Sequence, residues 1–306
     1  MRFDIVTFGS AVVDVFVYTD IAEKRNHISY PVGEKILIRE LRFDVGGGGT
    51  NTAVAFSRLG LKTGYIGKIG SDTNGDKILQ LLENEGIFFL GKRVNGNSGY
   101  SIVLDSKAKD RTILTYKGVN DEISIKDIKS FETDWVYYSS LLGRSFETQK
   151  ELAIRLRKKG TKIAFNPSSY LIKKRDLRTL LKNCEIIILN KEEAEMLTKE
   201  KDVIAGLHRY GPNIVVVTNR EKEIIASDRI KRYYLKPHKI KVVERTGAGD
   251  AFASGFVAGI IVGMSISDSL KLGLEESESV IQYFGAKNKL IKRNLKSEIW
   301  LKREKY

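Results

Sequence analysis

The sequence predicts an α/β protein built on a mainly parallel sheet with helices on both faces, and three observations carry that prediction. Short apolar runs rich in β-branched residues recur along the chain, stretches with apolar residues at three- and four-residue spacing lie between them, and several of those stretches stop at a glycine. Strands buried on both faces read as continuous apolar runs, and parallel neighbours need a helical crossover between them. Alternation of the two patterns is therefore the mark of a doubly covered sheet.

The strand-like runs are residues 3–8, 63–69, 135–138, 162–165, 185–189 and 214–218. Residues 50–59, 74–85, 146–158, 191–197 and 247–262 read as helices, and Gly60, Gly86 and Gly160 stand where three of them stop. Two stretches break the alternation, 12–45 and 91–119. Within the second, 100–104 and 112–116 read as paired strands around a turn at 107–110. The two stretches are expected to form a small β-sheet lid over the carboxyl ends of the main strands, where open α/β sheets bind ligands. The whole chain, 1–306, reads as a single domain carrying that insertion.

Composition narrows the function. With 306 residues, 42% of them hydrophobic, the chain can bury one large core. The longest apolar stretches, such as 186–189 and 256–264, fall far short of the roughly 20 residues that span a bilayer, and Asp4 interrupts any secretory profile, so a cytoplasmic location without a membrane partner is expected. A single cysteine, Cys184, excludes an internal disulfide; His27, His208 and His238 lack metal-ligand spacing, which speaks against zinc chemistry. The net charge of +14 suits either a nucleic-acid partner or a surface that draws anionic ligands such as nucleotides. Lys and Arg are spread in short runs such as 155–159 and 173–175, without interleaved aromatics or a helix-turn-helix signature, which favours the second reading.

The segment with most chemical content runs from Val242 to Phe252, a strand leading through Thr246-Gly247-Ala248-Gly249-Asp250 into a helix of small residues. Such a turn exposes consecutive backbone N–H groups at the positive end of a helix, which suits the charge that builds on a transferring phosphoryl group. Asp250 in the first helical turn is placed to take a proton from an attacking hydroxyl. An Asp there also serves as an ordinary helix cap, yet a cap does not call for Gly-Ala-Gly before it. A dinucleotide fingerprint does not fit, because its third glycine would fall on Phe252.

A second glycine cluster, Gly46-Gly47-Gly48-Gly49, opens the first helix. The Walker phosphate loop requires Lys-Ser or Lys-Thr after its last glycine, and here Thr50-Asn51 follows. Bare backbone lets a ligand come close, and Asn51 can both give and take hydrogen bonds with vicinal hydroxyls; tight packing of helix on sheet is the competing explanation. Asp14, alone in the apolar stretch 11–17, either binds hydroxyls or ends a strand.

A glycine-rich N-terminal motif with Asn51 and a C-terminal Thr246-Gly247-Ala248-Gly249-Asp250 in one chain of this length resembles the ribokinase-like (PfkB) family. The resemblance implies a Rossmann-like core with a β lid and Mg²⁺-assisted transfer of a γ-phosphate, with ATP the expected donor, to a hydroxyl of a sugar or nucleoside. A homodimer through the lids is often part of it. By similarity Asp14, Gly47, Gly48 and Asn51 hold substrate hydroxyls, Gly247, Ala248 and Gly249 form the anion hole, and Asp250 is the base. The family's Asn-x-x-Glu motif matches Asn190-Lys191-Glu192-Glu193, with Asn190 near the phosphates and Glu193 acting on the metal through water; without that context the motif reads as a helix cap. Thr218, Arg220 and Thr246 join Gly247 and Gly249 on the nucleotide side. Arg111 in the lid is either near the acceptor and the transferred phosphate or a solvent-facing strand residue, and Asn120 and Arg144 follow strands near the substrate end.

Two departures stand out. Glu244-Arg245 replaces the usual Asp-Thr, which keeps metal use expected and leaves monovalent-cation activation open. The loop 219–223 lacks the glycine that relatives carry there, leaving ATP, ADP or another donor open. A catalytically silent sugar- or nucleotide-binding regulator on the same fold is the alternative, and the intact Asp250 with its Gly-Ala-Gly turn favours the kinase.

Overall fold

The apolar pattern and the packing it demands are realised in a computed structural model that describes residues 1–25, 27–105 and 111–298. In chain order the principal strands are β1 (Ile5–Phe8), β2 (Val12–Tyr18), β3 (Glu40–Gly46), β4 (Thr63–Ile66), β5 (Phe88–Phe89), β6 (Gly99–Asp105), β7 (Arg111–Tyr116), β8 (Trp135–Ser139), β9 (Lys162–Asn166), β10 (Ile186–Asn190), β11 (Ile214–Thr218), β12 (Ile224–Ser227) and β13 (Arg232–Leu235). The α-helices are α1 (Gly48–Arg58), α2 (Thr73–Asn84), α3 (Gly143–Lys158), α4 (Ser169–Lys174), α5 (Arg178–Asn183), α6 (Lys191–Leu197), α7 (Val203–Arg209), α8 (Ala248–Ile261) and α9 (Ile266–Ile281).

Among the described residues nine strands make the large sheet, in the order β13-β12-β11-β10-β9-β8-β1-β4-β5. Strands β11 to β5 in that order run parallel, while β12 and β13 form an antiparallel edge. Every residue of β8 is buried, and which core it faces follows the two-residue period of a strand. Val136 and Tyr138 of β8 face one apolar cluster with Phe146 and Leu152 of α3, whereas Trp135 and Tyr137 face another with Phe252 and Phe256 of α8 and Leu270 of α9.

The stretches that broke the alternation supply a separate four-stranded sheet, ordered β7-β6-β2-β3. Asp14 of β2 lies opposite Asp44 of β3, and Phe16 opposite Arg42. Phe16 meets Phe284 edge-on with ring centroids 4.5 Å apart, so this face of the small sheet looks onto the main body. The predicted turn at 107–110 lies outside the described residues.

Three expectations need correction, the first being the strand expected to lead into Thr246, since residues 242–245 lie outside every strand. The run 3–8 breaks at Asp4, which accepts the Lys62 N–H at 2.7 Å; Arg2–Phe3 pairs instead with Glu132–Thr133. The run 63–69 leaves the large sheet after Ile66, and Lys68–Gly70 forms its own ribbon with Lys92–Val94; at the junction Gly91 backs so closely onto the Gly67 carbonyl that a Cβ there would lie 1.8 Å from the oxygen. Helix α9 lies outside the expected helices, since its polar Glu-Glu-Ser-Glu-Ser run hides the apolar stripe of Leu270, Leu274 and Val280. It packs so tightly on α8 that a Cβ at Gly255 would lie 2.8 Å from the Leu272 carbonyl oxygen, which gives the small residues of α8 a packing role.

Candidate active site

The Gly-Ala-Gly turn is seated on the chain that follows α9. Val243 N donates to the Ile281 carbonyl at 2.8 Å, Gly285 N donates to Glu244 Oε2 at 3.1 Å, and the Thr246 hydroxyl donates to Glu244 Oε1. Gly247 adopts φ 78°, and a Cβ on it would lie 2.7 Å from the Ala286 Cα, so conformation and space both require glycine here. Gly249 is the opposite case. Its backbone is not left-handed, and a Cβ built on it meets no atom within 4 Å, so this face of the turn opens to whatever binds there.

Asp250 stands in the first turn of α8, but the helix has no side-chain cap, and the carboxylate accepts the Asn51 amide N–H at 2.9 Å instead. The capping explanation for Asp250 therefore fails. The start of α1 approaches the same carboxylate, since a Cβ on Gly48 would lie 3.6 Å from Asp250 Oδ1. Two helix N-termini thus meet at one acid, and both dipoles favour negative charge there. Burial pushes the Asp250 carboxyl above the usual range, while the Asn51 hydrogen bond and the Lys287 charge oppose it.

The first glycine cluster shows the tight packing of helix on sheet that was one of the explanations weighed from the sequence. Gly47 is the N-cap of α1 at φ 102°, and a Cβ on Gly49 would lie 2.5 Å from the Gly9 carbonyl carbon, so α1 is packed hard on the end of β1. The same closeness brings Gly48 beside Asp250.

Asn51 is buried, and its Oδ1 accepts from Lys287 Nζ at 3.2 Å. An ammonium on one side and a carboxylate on the other fix which way the amide points. Lys287, only 5% exposed, also lies with Nζ 3.7 Å from Asp44 Oδ1. Burial pushes its ammonium down in pKa; Asp44, Asp14 and Asp250 work against that shift. Asp14 is raised by burial, with Ser101 and Lys287 opposing. Lys287 escaped sequence reading because it stands in a lysine-rich terminal stretch with no periodic signal.

The nucleotide-side candidates gather at the carboxyl ends of β10 and β11, where Asn190 and Thr218 are neighbours in register. Asn190 and Glu193 form a reciprocal capping box: Glu193 N donates to Asn190 Oδ1 at 2.9 Å, and Asn190 N donates to Glu193 Oε2 at 3.0 Å. Glu193 Oε1 takes the Ser169 N–H at 3.0 Å, and burial leads the upward shift of its carboxyl. Arg220 is exposed at φ 50°, so the glycine-free loop adopts the left-handed turn a glycine would have taken, and its guanidinium lies 3.5 Å from Glu192. Arg245 pairs with Glu221 at 2.6 Å.

Other candidates are placed elsewhere. Asn120 clamps both backbone groups of Ala11 at 2.8 Å, Arg144 is exposed at the start of α3, and Arg111 begins β7 opposite Asp105, its side chain lying outside the described residues. Among the described residues no group of three or more His, Cys, Asp or Glu gathers as a metal site, and no helix is long and apolar enough to cross a membrane.

Known proteins resemble this chain over most of its length. The profile of the pfkB family carbohydrate kinases matches residues 2–293. An uncharacterized sugar kinase of Archaeoglobus fulgidus is 31% identical over 248 residues, covering 78% of this chain and 98% of the relative. A cytidine kinase of Thermococcus kodakarensis is 29% identical over 297 residues, covering 92% and 97%. The solved structure of Arabidopsis thaliana ribokinase, complexed with ribose and ATP, superposes with a TM-score of 0.80 at 21% identity, covering 98% of this chain and 99% of that one.

Proposed function

We propose that this chain, which belongs to the pfkB family of carbohydrate kinases, transfers the γ-phosphoryl group of ATP to a hydroxyl of a sugar or nucleoside with Asp250 as general base. The observation that carries this reading is the Asp250 carboxylate, held by Asn51 at 2.9 Å beside a turn whose Gly249 faces open space. The acceptor oxygen bonds to the γ-phosphorus as the bond to the β-phosphate bridging oxygen breaks. The acceptor proton passes to Asp250 Oδ1, since Oδ2 is engaged by Asn51. Backbone N–H groups of Gly247 and Gly249 take up the charge that develops, joined by Ala248 N once it leaves its 3.3 Å bond to the Arg245 carbonyl, and ADP leaves.

On the acceptor side Asp14 and Asp44 stand opposite one another on the small sheet, which suits the hydroxyls of a neutral sugar or nucleoside. Gly47 and Gly48 offer backbone to the same ligand, Asn51 retains capacity for further bonds beyond the two described, and Arg111 begins the lid strand above. Asn190, Thr218, Arg220 and Thr246 flank the donor. Mg²⁺ keeps several of its waters and is commonly bound through phosphates with few carboxylates, which fits a Glu193 whose two oxygens each accept one backbone N–H and retain capacity for water. Bound with the nucleotide, it would neutralise phosphate charge.

Leu41, Phe43, Leu114 and Tyr116 are exposed on the face of the small sheet opposite Phe16, an apolar surface that suits a second copy of this chain. Phe43→Glu is expected to yield a monomer in sedimentation; a wild-type monomer would end the dimer reading. A cytoplasmic setting, rich in ATP and reducing, suits both this chemistry and the buried free thiol of Cys184.

The deciding experiment is a Mg²⁺-dependent phosphotransfer screen with ATP, GTP and ADP against sugars, sugar phosphates, polyols and nucleosides, run on wild type and Asp250→Asn. A product that disappears in Asp250→Asn supports the reading. Nucleotide binding without any product shifts it to a silent regulator.

A further inference from the structure

We propose that Lys287 is a positioning residue for phosphoryl transfer: its ammonium orients the Asn51 amide, which in turn presents Asp250 to the acceptor as a fixed carboxylate. The inference rests on the reading of Asp250 as base.

The geometry is a three-part chain from segments far apart in sequence. Lys287 Nζ donates to Asn51 Oδ1 at 3.2 Å, and Asn51 Nδ2 donates to Asp250 Oδ2 at 2.9 Å. An amide can bridge ammonium and carboxylate in one orientation only; reversed, it would set its oxygen against Asp250 and its N–H groups against Lys287. Without Lys287 nothing described holds Asn51 Oδ1, and the flip loses most of its penalty. The lysine is itself anchored, because Arg58 of α1 donates to the Lys287 carbonyl at 2.6 Å and pairs through its other nitrogens with Glu85.

Charge gives the same answer. Asp14 from β2, Asp44 from β3 and Asp250 from α8 all act on Lys287, with Arg58 the cation facing it from α1. Glu244 adds its charge near Asp14. Asp250 is faced by Asn51 and Lys287, and buried Tyr137 of β8 feels its charge. An isolated ammonium that is 5% exposed is costly, and a cluster of acids is hostile to an incoming phosphoryl group; each removes the other's penalty. Lys287 sits where the small sheet, through Asp44, meets the helix starts that hold the base.

The titration that tests the coupling needs no acceptor. Protein labelled with ¹³C at the aspartate carboxyls is titrated by NMR, with the Asp250 signal assigned by its loss in Asp250→Asn. Lys287→Met, and Lys287→Gln as a neutral variant that keeps a hydrogen-bond donor, should both move the Asp250 midpoint upward by at least about half a pH unit, because the ammonium opposes the rise caused by burial. Lys287→Arg, which keeps the charge, should hold it near wild type. An unmoved midpoint in a folded neutral variant would overturn the proposal, as would failure of both neutral variants to fold, which would make Lys287 a structural post. With ATP and either ribose or cytidine as acceptor, turnover retained in Asp250→Asn would instead remove the base reading while leaving the measured coupling intact.

Discussion

Asn51 and Asp250, 199 positions apart in the chain, are joined by a hydrogen bond of 2.9 Å between amide and carboxylate. The bond ties the start of α1 to the start of α8, the two helices whose glycine-rich openings carry the family resemblance. A residue read from sequence as a ligand for substrate hydroxyls thereby also holds the carboxylate proposed as the base.

That double role predicts a mixed kinetic effect. Losing a hydrogen bond to a charged group costs about 1.5–3 kcal/mol, so Asn51→Ala should lower kcat by roughly 10- to 100-fold. The acceptor KM should rise, while the ATP KM stays near wild type. Equal shifts in both KM values at unchanged kcat would count against the support role.

Asp250→Asn is nearly isosteric and leaves the Gly-Ala-Gly turn in place. Turnover should fall by roughly 10²–10⁴, the usual span for general-base help, with ATP affinity by calorimetry retained. An unchanged kcat would remove Asp250 from the chemistry.

The two glycines of the turn should behave oppositely. A Cβ on Gly249 meets nothing beyond its own helix within 4 Å, so in Gly249→Ala the thermal midpoint should hold or rise slightly while ATP-dependent turnover drops, because the methyl group occupies the open face of the proposed anion site. Gly247→Ala must bear a left-handed backbone and a Cβ 2.7 Å from the Ala286 Cα, so it should lose about 1–3 kcal/mol of stability in denaturant melts. Similar melts for the two variants would contradict this division.

Glu276 predicts a pH effect on stability that has nothing to do with catalysis. It is 0% exposed between α8 and α9, Oε1 has no hydrogen-bond partner, and burial leads the rise of its carboxyl pKa to about 8 from 4.5. Ile291 N, Arg58 and Arg293 oppose that rise and Glu275 adds to it. Between those two values the native state holds a proton that the unfolded state has lost, so stability is highest below about 4.5 as far as this group is concerned and falls as pH rises toward about 8. Glu276→Gln should flatten that slope, raising the thermal midpoint at pH 8 more than at pH 5. Parallel midpoint curves for the two proteins would refute the assignment.

Most of the fold was legible because its signals are local. The strand at 135–138 and the helix at 146–158 each declare themselves within a window of a few residues, and their alternation fixes the class of sheet. The exceptions have other causes: Asp4 breaks its strand through a contact with Lys62 that the run itself does not reveal, and α9 carries its apolar stripe under a polar sequence. Asn190 and Glu193 show the converse, a motif whose bonds in the structure are those of a helix cap.

By itself the sequence determined the α/β class, the two glycine-rich helix starts and the presence of an acid in the second of them, because propensity, periodicity and turn chemistry act over neighbouring residues. Only the tertiary structure decided that Asn51 points at Asp250, that Lys287 crosses 236 positions to hold Asn51, and that Asp44 joins them from the small sheet. A buried charge is tolerable only where partners converge on it, and that convergence exists once the chain is folded.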